Sequence, residues 1–306
     1  MITTFAADNP SELEAAVSAA GHAPGDVSLW SEYCDTSAAR EDAPWHADGP
    51  QQLVITADGL APHRFTATVA DESVVFLPSI LPVDANGAVI APGDLVAQTE
   101  AAFAEAGRLL GEQGLSLDDV VMTVDYLTFD GLKQYKGTGA VRNAALSAPY
   151  PGSAGIIMDR LAHPEALMGL DVIASREPLE GINPGWERYG KLTYLPAVKA
   201  GDTLFMSGQA ALDPVTETAL HADDVVEQAR YTYGNIVAVL GAAGLGPDAL
   251  VSSIEYFTPA GLDRRSEVAA VRREVLGGHE PMIVELACAG LLRREFQLEV
   301  IPLAVF

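Results

Sequence analysis

Residues 94–115 read DLVAQTEAAFAEAGRLLGEQGL, and residues 224–245 read DVVEQARYTYGNIVAVLGAAGL. In the first, Val96, Thr99, Phe103, Ala106 and Leu110 make one apolar stripe at helical spacing; in the second, Val226, Ala229, Tyr233, Ile236 and Leu240 occupy the same places. Asp224 with Glu227 makes a capping pair, and Gly111 and Gly241 are read as the stops. The offset of 130 residues continues beyond the helices, through Tyr126 and Tyr256, Thr128 and Thr258, Gly131-Leu132 and Gly261-Leu262, Val141-Arg142 and Val271-Arg272, and Pro151 and Pro281. A period this long implies two whole domains of one architecture rather than a solenoid unit.

Around each helix the remaining pattern is that of strands. In the first copy, strand-like pieces at Gln52–Thr56, Phe65–Val69 and Ser73–Leu77 precede the helix. Val120–Leu127, a second helix after Gly131-Leu132 and a last strand at Ala166–Ala174 follow it. The second copy repeats these with Leu250–Phe257, a helix after Gly261-Leu262 and Phe296–Ala304. This order predicts an α+β fold, each domain a mixed β-sheet with two helices packed on one face. The uncovered face is expected to be buried by partners, making a homo-oligomer.

Four segments follow. Residues 1–50 are an N-terminal extension and linker, read as a β-α-β unit from Ile2–Ala6, a helix over Pro10–Ala20 opened by Ser11 with Glu14, and Asp26–Tyr33. Residues 37–50 are its linker. Residues 51–175 are the first domain, 176–192 a connection containing Pro178, Gly181, Pro184 and Gly185, and 193–306 the second domain.

Composition narrows the function. With 306 residues and 49% hydrophobic content, the chain can bury two ordinary cores without disulfides. The formal charge of −24 repels phosphate backbones, so nucleic acid is not the expected partner. No run approaches a membrane span, and Met1–Thr4 lacks the features of a signal peptide. Cys34 and Cys288 lie far apart, which fits a reducing cytoplasm. The six histidines never form a His-x-x-x-His or His-x-His pair, so neither metal nor other cofactor is expected. Gly137-Thr138-Gly139 interrupts the second helical region of the first copy and reads as a distorted helix or a pocket wall.

The stretch from Leu195 to Gln209, LPAVKAGDTLFMSGQ, resembles the signature of the Rid (YjgF/YER057c/UK114) family. The Val-Val-x-Gln helix, Gly-Leu-x-x-Asp and the Tyr-[Leu/Phe]-Thr strand follow in the family's order, and Pro92–Thr99 with Gly114–Val121 carry it into the first copy. The resemblance covers roughly residues 52–175 and 190–306. It implies tandem chorismate-mutase-like domains packed as trimers or pseudo-trimers, with ligand sites in the clefts between neighbours. The unit then either stacks with other chains or has its third place filled by the N-terminal addition.

Typical members of that family hydrolyse 2-imino or 2-enamino acids and clamp the substrate carboxylate with an arginine in a Pro-x-Arg-Thr motif, a planar fork suited to bidentate binding. Here Ile283 and Ser153 stand at the matching positions, so standard 2-iminoacid deamination is not implied. The family's last-strand glutamate matches Glu299, and its aromatic near the start matches Tyr194. In the first copy Gly169 replaces Glu299, Phe65 replaces Tyr194, and Pro78-Ser79-Ile80 replaces Ser207-Gly208-Gln209. The second copy is thus expected to face the ligand and the first to be scaffold. A second resemblance is to chorismatases, which also join two such domains behind an N-terminal extension; the Tyr189-Gly190 pair carries it.

The candidate catalytic group is Glu299, either an outward carboxylate on a half-wet sheet or a cleft acid whose pKa burial raises. Tyr194, Ser207, Gln209, Tyr256 and Arg188 are the candidate substrate-binding residues, with packing as the alternative role for the tyrosines and backbone geometry for Ser207. Trp186, Arg188 and Tyr189 form an aromatic and cationic segment at a domain seam. Arg188, Arg293 or Arg294 would replace the missing clamp, or else make surface ion pairs. Arg264-Arg265 and Arg272-Arg273 are read as solvated faces or domain-interface partners. The expected function is an atypical Rid-like enzyme acting on a small reactive imine, enamine or enol metabolite. The alternatives are a chorismatase-like enzyme, which demands a basic pocket, and a non-catalytic binding or assembly module.

Overall fold

The computed structural model describes residues 2–34, 50–56 and 63–306. The linker reading of residues 37–50 lies, apart from Pro50, outside them.

Strand β1 (Thr3–Ala7), helix α1 (Pro10–Ala19) and strand β2 (Leu29–Cys34) form the expected β-α-β start. Asn9, rather than Ser11, caps the helix: its side chain accepts from the Glu12 N–H, and Pro10 follows where a missing N–H costs nothing. Strands β3 (Gln51–Ile55) and β4 (His63–Val69) were expected in the first repeat but complete this N-terminal sheet, whose order is β1-β4-β2-β3. The partner, not the strand, was misread. Phe65 and Ala67 of β4 are buried with Trp30, Leu13 and Val17, so the apolar face of α1 decides where β4 pairs.

In the first repeat, β5 (Val74–Phe76), α2 (Leu95–Glu112), β6 (Val120–Leu127), α3 (Phe129–Leu132), α4 (Gly139–Ala145), β7 (Gly152–Ile157) and β8 (Met168–Ser175) follow in order. The second comprises β9 (Leu179–Ile182), β10 (Ala197–Ala200), β11 (Thr203–Met206), α5 (Val225–Ala242), β12 (Leu250–Phe257), α6 (Pro259–Leu262), α7 (Arg265–Val275), β13 (Met282–Ala287), β14 (Gly290–Leu291) and β15 (Leu298–Val305). Strand order is β14-β7-β6-β8-β5 in one sheet and β13-β12-β15-β11-β10-β9 in the other. In both, the strand after the long helix pairs parallel on one side and antiparallel on the other, with a register shift at the same place, Val120/Met122 and Leu250/Ser252. The duplicated α+β architecture is therefore present.

Several boundaries moved. Both long helices run through Gly111 and Gly241, and the chain turns at Gly114 and Gly244, whose φ of 72° and 77° suits glycine. The connection is not plain linker, since β9 within it pairs antiparallel with β10. Strands β7 and β13, which carry Ser153 and Ile283, were not anticipated: each pairs parallel with the strand after the long helix, and neither shows a clear alternation of apolar and polar residues.

Positions repeated at the 130-residue offset hold the packing. Gln98 donates to the carbonyls of Ala91 and Glu165 and accepts from the Leu167 N–H, while Gln228 does the same with His221, Glu295 and Gln297. A Cβ on Gly131 would stand 2.5 Å from the Leu167 carbonyl oxygen, and one on Gly261 2.7 Å from that of Gln297. Arg142 meets buried Asp125 at 2.8 Å, and Arg272 meets buried Glu255 at 2.6 Å. Arg272 is therefore an interior partner rather than a solvated arginine, because Glu255 between sheet and helices needs a counter-charge.

The helices cover the outer faces of the two repeats, and the inner faces meet one another. Ile2 and Leu29 of the N-terminal unit share a cluster with Phe76, Val121 and Met122 of the first repeat and Val198 and Phe205 of the second. Tyr33, Tyr126 and Tyr256, one from each sheet, share another. The face expected to be buried by partner chains is buried within this chain, with the N-terminal sheet taking the third place. Strand β14 of the second repeat pairs with the edge of β7, tying the repeats together.

Candidate active site

Between β7 of the first repeat and the Ser207–Gln209 turn of the second lies a cleft of about 320 Å³. Glu299 reaches it because of strand alternation: Leu298 and Val300 pack against α5, so the residue between them points the other way, toward the first repeat. Its carboxyl rests against the backbone of Gly208, where a Cβ would collide with the Glu299 Oε1. This is the reason the turn needs glycine, for φ is not positive there. Burial pushes the Glu299 carboxyl up to about 8, against the smaller lowering effect of the Gly155 N–H. No ion pair reaches it among the described residues, so at neutral pH it is mostly a neutral acid with a proton to give.

Across the cleft stand two arginines. The turn after β9 brings in Arg188, whose side chain is 12% exposed and whose guanidinium sits 5.1 Å from the Tyr189 ring centroid. Its Nε has no hydrogen-bond partner among the described residues and lies 3.9 Å from the Glu217 carboxylate. Arg293 donates to the Glu217 carbonyl at 2.8 Å. Glu217 thus orients both cations, from a backbone φ of 57° that a non-glycine residue rarely holds. Tyr194 stands between the arginines and the acid. Its phenol is raised by burial, held down by Arg188, raised by Glu299 and lowered by Arg293.

Four of the six residues singled out from sequence, Glu299, Tyr194, Gln209 and Arg188, line this one cleft. Gln209 pairs its backbone with Val300 and donates from its amide to the Ser207 carbonyl at 3.2 Å. Ser207 and Tyr256 do not line it. The Ser207 hydroxyl donates to the Leu195 carbonyl and accepts from the Ser153 N–H at 2.8 Å, bolting the repeats together. Tyr256 is fully buried, and its hydroxyl lies 3.0 Å from that of Tyr126, its counterpart in the first repeat. The ring is drawn inward by the shared core rather than toward the ligand space.

Ser153, at the missing-arginine position, does line the cleft, and its hydroxyl accepts from Thr123 at 3.3 Å. Ile283 pairs with Ser253 on the far edge of its sheet and does not line it. Sequence reasoning missed Tyr135, which enters where the second helical region is broken into a tight turn before Gly139. The Gly137-Thr138-Gly139 interruption was its signal. Tyr135 donates to Asp125 at 2.9 Å, and Asp125 is held by Arg142. Gly155 had no signal, since a backbone donor leaves no trace in side-chain chemistry.

The equivalent place in the first repeat is built differently. Ile80 bridges Leu170 as Gln209 bridges Val300, so Pro78-Ser79-Ile80 occupies the position of Ser207-Gly208-Gln209. Gly169 removes the acid. A smaller cleft of about 200 Å³ remains, walled by Leu53, Leu81, Met158 and Leu161 and containing no arginine or lysine among the described residues. A third cavity, of about 130 Å³ on the axis where the sheets meet, is largely apolar and likewise has no cation among the described residues. Among the described residues, no group of three metal-ligating side chains converges, and no helix is long and apolar enough to cross a membrane.

Comparison with known proteins agrees with this layout. The profile of a family described as endoribonuclease L-PSP matches twice, over residues 57–176 and 189–306. A RutC family protein of Synechocystis sp. is 32% identical, the match covering 32% of this chain and 85% of that protein. A chorismatase crystal structure shares the fold across 100% of this chain and 99% of its own, with a TM-score of 0.68 at 15% identity. A YjgF/YER057c/UK114 family member from Mycobacterium tuberculosis is 22% identical over 42% of this chain and 100% of its own, with a TM-score of 0.36.

Proposed function

The chain belongs to the endoribonuclease L-PSP family, and from that premise we propose that its cleft is the active site of an enzyme acting on a small imine, enamine or enol metabolite carrying a carboxylate. The observation that carries this reading is the buried carboxyl of Glu299, its pKa raised by burial, lining one cleft together with Arg188 and Arg293. An arginine fork binds the substrate carboxylate, and the acid at the other end protonates the electron-rich carbon or nitrogen. Where water completes the reaction, the Glu299 carboxylate formed by the first transfer takes a proton from the attacking water. An imine then yields a carbonyl and an amine, and an enol ether yields a ketone and an alcohol. Elimination or ring closure follows if a leaving group or an internal nucleophile is better placed than water. Tyr194 and Gln209 offer hydrogen bonds along the path, and Trp186 and Tyr189, stacked at 5.9 Å between centroids, shield one side.

The clamp differs from that implied by the family resemblance. Serine at 153 leaves the β7 side of the cleft small and uncharged, and the cations come from the interdomain segment and from the loop before β15. Two cations in place of one favour a substrate with more than one anionic or polar anchor. The second reading, a cyclic enol-ether carboxylate of the kind a chorismatase acts on, draws support from that basic pocket and from the full-length likeness. The buried Cys288 forms no disulfide among the described residues, which is consistent with a cytoplasmic setting.

The test is a turnover assay of the wild type and Glu299→Gln with chorismate and with an aliphatic 2-iminoacid generated in situ. Turnover of either substrate that the variant loses supports the acid role and chooses between the readings. A folded variant retaining full turnover defeats the acid role of Glu299, and binding of both compounds without conversion defeats the enzyme reading in favour of a binding module.

A further inference from the structure

Five buried strand carboxylates can be compared. Asp125 and Glu255 each have an arginine, Glu299 faces the cleft described above, and Glu32 lies in the N-terminal sheet. Asp171, on β8, is 6% exposed and has no cation among the described residues. Its Oδ1 accepts from the Ser79 hydroxyl at 2.7 Å, and the Tyr126 hydroxyl also faces it. Tyr33 from the N-terminal sheet approaches as well, and these three hydroxyls stabilise negative charge without cancelling it. Burial raises the Asp171 carboxyl to about 7, which leaves it near the point of ionising at neutral pH.

This carboxyl opens onto the first-repeat cleft. The space exists because Gly169 stands where the other repeat has Glu299, and a Cβ on Gly169 would meet only Leu81 Cδ2 at 3.5 Å and the Ile80 carbonyl at 3.8 Å, ordinary contacts. The walls are mostly aliphatic, with Gln51, Ser79 and Tyr126 among them, and the surrounding half of the chain, residues 1–175, carries 24 acidic against 7 basic side chains. A buried anion is strongly favoured only when a cation joins it. We propose that the cleft between the N-terminal sheet and the first repeat is a second binding site, taking a small primary amine whose ammonium pairs with Asp171 and whose short branched aliphatic body fills the space beside Gly169. The two clefts then have opposite charge preference: carboxylates at Arg188 and Arg293, ammonium at Asp171.

The experiment is calorimetric titration of the full chain with 3-methylbutylammonium, with 3-methylbutanol and 3-methylbutanoate as neutral and anionic isosteres. The ammonium binds saturably and more tightly than either isostere. Asp171→Asn weakens it by about tenfold or more, as expected when one member of a buried charge pair is removed. Gly169→Ala, which adds a methyl without collision, weakens it several-fold by filling the space. Glu299→Gln binds it as the wild type does, separating this site from the other cleft and from the reading of that cleft as catalytic. Absence of saturable binding to the wild type, equal binding of the alcohol, or unchanged affinity in Gly169→Ala overturns the proposal. If Asp171→Asn fails to fold, Gly169→Ala decides.

Discussion

The two repeats share a chain path down to a register shift between corresponding strands, yet they present opposite chemistry at the same place. In the second, an acid-bearing strand, a glycine turn and two imported arginines line a polar cleft; in the first, Gly169 replaces the acid and a mostly aliphatic cleft with Asp171 at its edge remains. Residues kept at the 130-residue offset are those whose loss would break packing: Gln98 and Gln228, Gly131 and Gly261, Arg142 and Arg272, Tyr126 and Tyr256. Residues that differ line the clefts. Duplication therefore preserved what every copy needs in order to fold and released what only one copy needs in order to act.

The sharpest way to break this contrast is Glu299→Gln, which should lower kcat by about 10²–10⁴, the usual worth of a positioned general acid. Steady-state kinetics on a folded variant measures it, and a small loss would mean that the retained cleft is no more catalytic than the blunted one. The same variant sharpens the contrast in stability. Because the folded pKa of Glu299, about 8, lies above its ordinary value of 4.5, the native state holds a proton that the unfolded chain releases between those values. Its contribution is complete below about pH 4.5 and is lost as pH rises through 8, at roughly 1.4 kcal/mol per pH unit at most. Denaturant melts should therefore show Glu299→Gln gaining stability on the wild type from pH 5 to pH 9, while wild-type turnover declines above about pH 8.

Packing positions should behave alike in both halves. Gly131→Ala and Gly261→Ala each drive a Cβ into a carbonyl oxygen, and each should cost about 2–4 kcal/mol in denaturant melts. A large effect in one repeat only would show that the symmetry of the fold is not energetic. Arg188→Met should raise KM by about tenfold for a carboxylate substrate, in line with roughly 1.5 kcal/mol for one charge-assisted bond, and leave an uncharged analogue unaffected. Tyr126→Phe and Tyr256→Phe should couple by about 1 kcal/mol in a double-mutant cycle on stability, since their hydroxyls bond each other. Additivity there would remove the axial tyrosine contact from the account.

Much of the candidate site was legible before any coordinates. Glu299 could be named because it matches the last-strand glutamate of the resembling family, although its alternation with Leu298 and Val300 fitted an outward carboxylate equally well, and Arg188 because it sits beside Trp186 and Tyr189 at a domain seam, with surface ion pairing as its other reading. Tyr256 misled because a tyrosine on the correct strand can turn toward the axis as easily as toward the cleft, and only the position of Tyr126 decides. Ser207 misled because its hydroxyl serves the neighbouring repeat. Strands β3 and β4 were recognised as strands but given the wrong sheet, for alternation states that one face is buried without saying against what.

Periodicity and the repeat offset by themselves determined that the chain folds as two copies of one α+β unit, that the copies differ at the polar positions, and that the later copy keeps an acid on its last strand. These are local properties, set by side-chain spacing along one backbone. Only the tertiary structure decided that the N-terminal sheet fills the third place, that Arg188 and Arg293 line one cleft with Glu299, and that Asp171 is buried without a counter-ion among the described residues. Each of those depends on how faces far apart in sequence bury one another, and the free energy of that burial is a property of the assembled surfaces rather than of any segment.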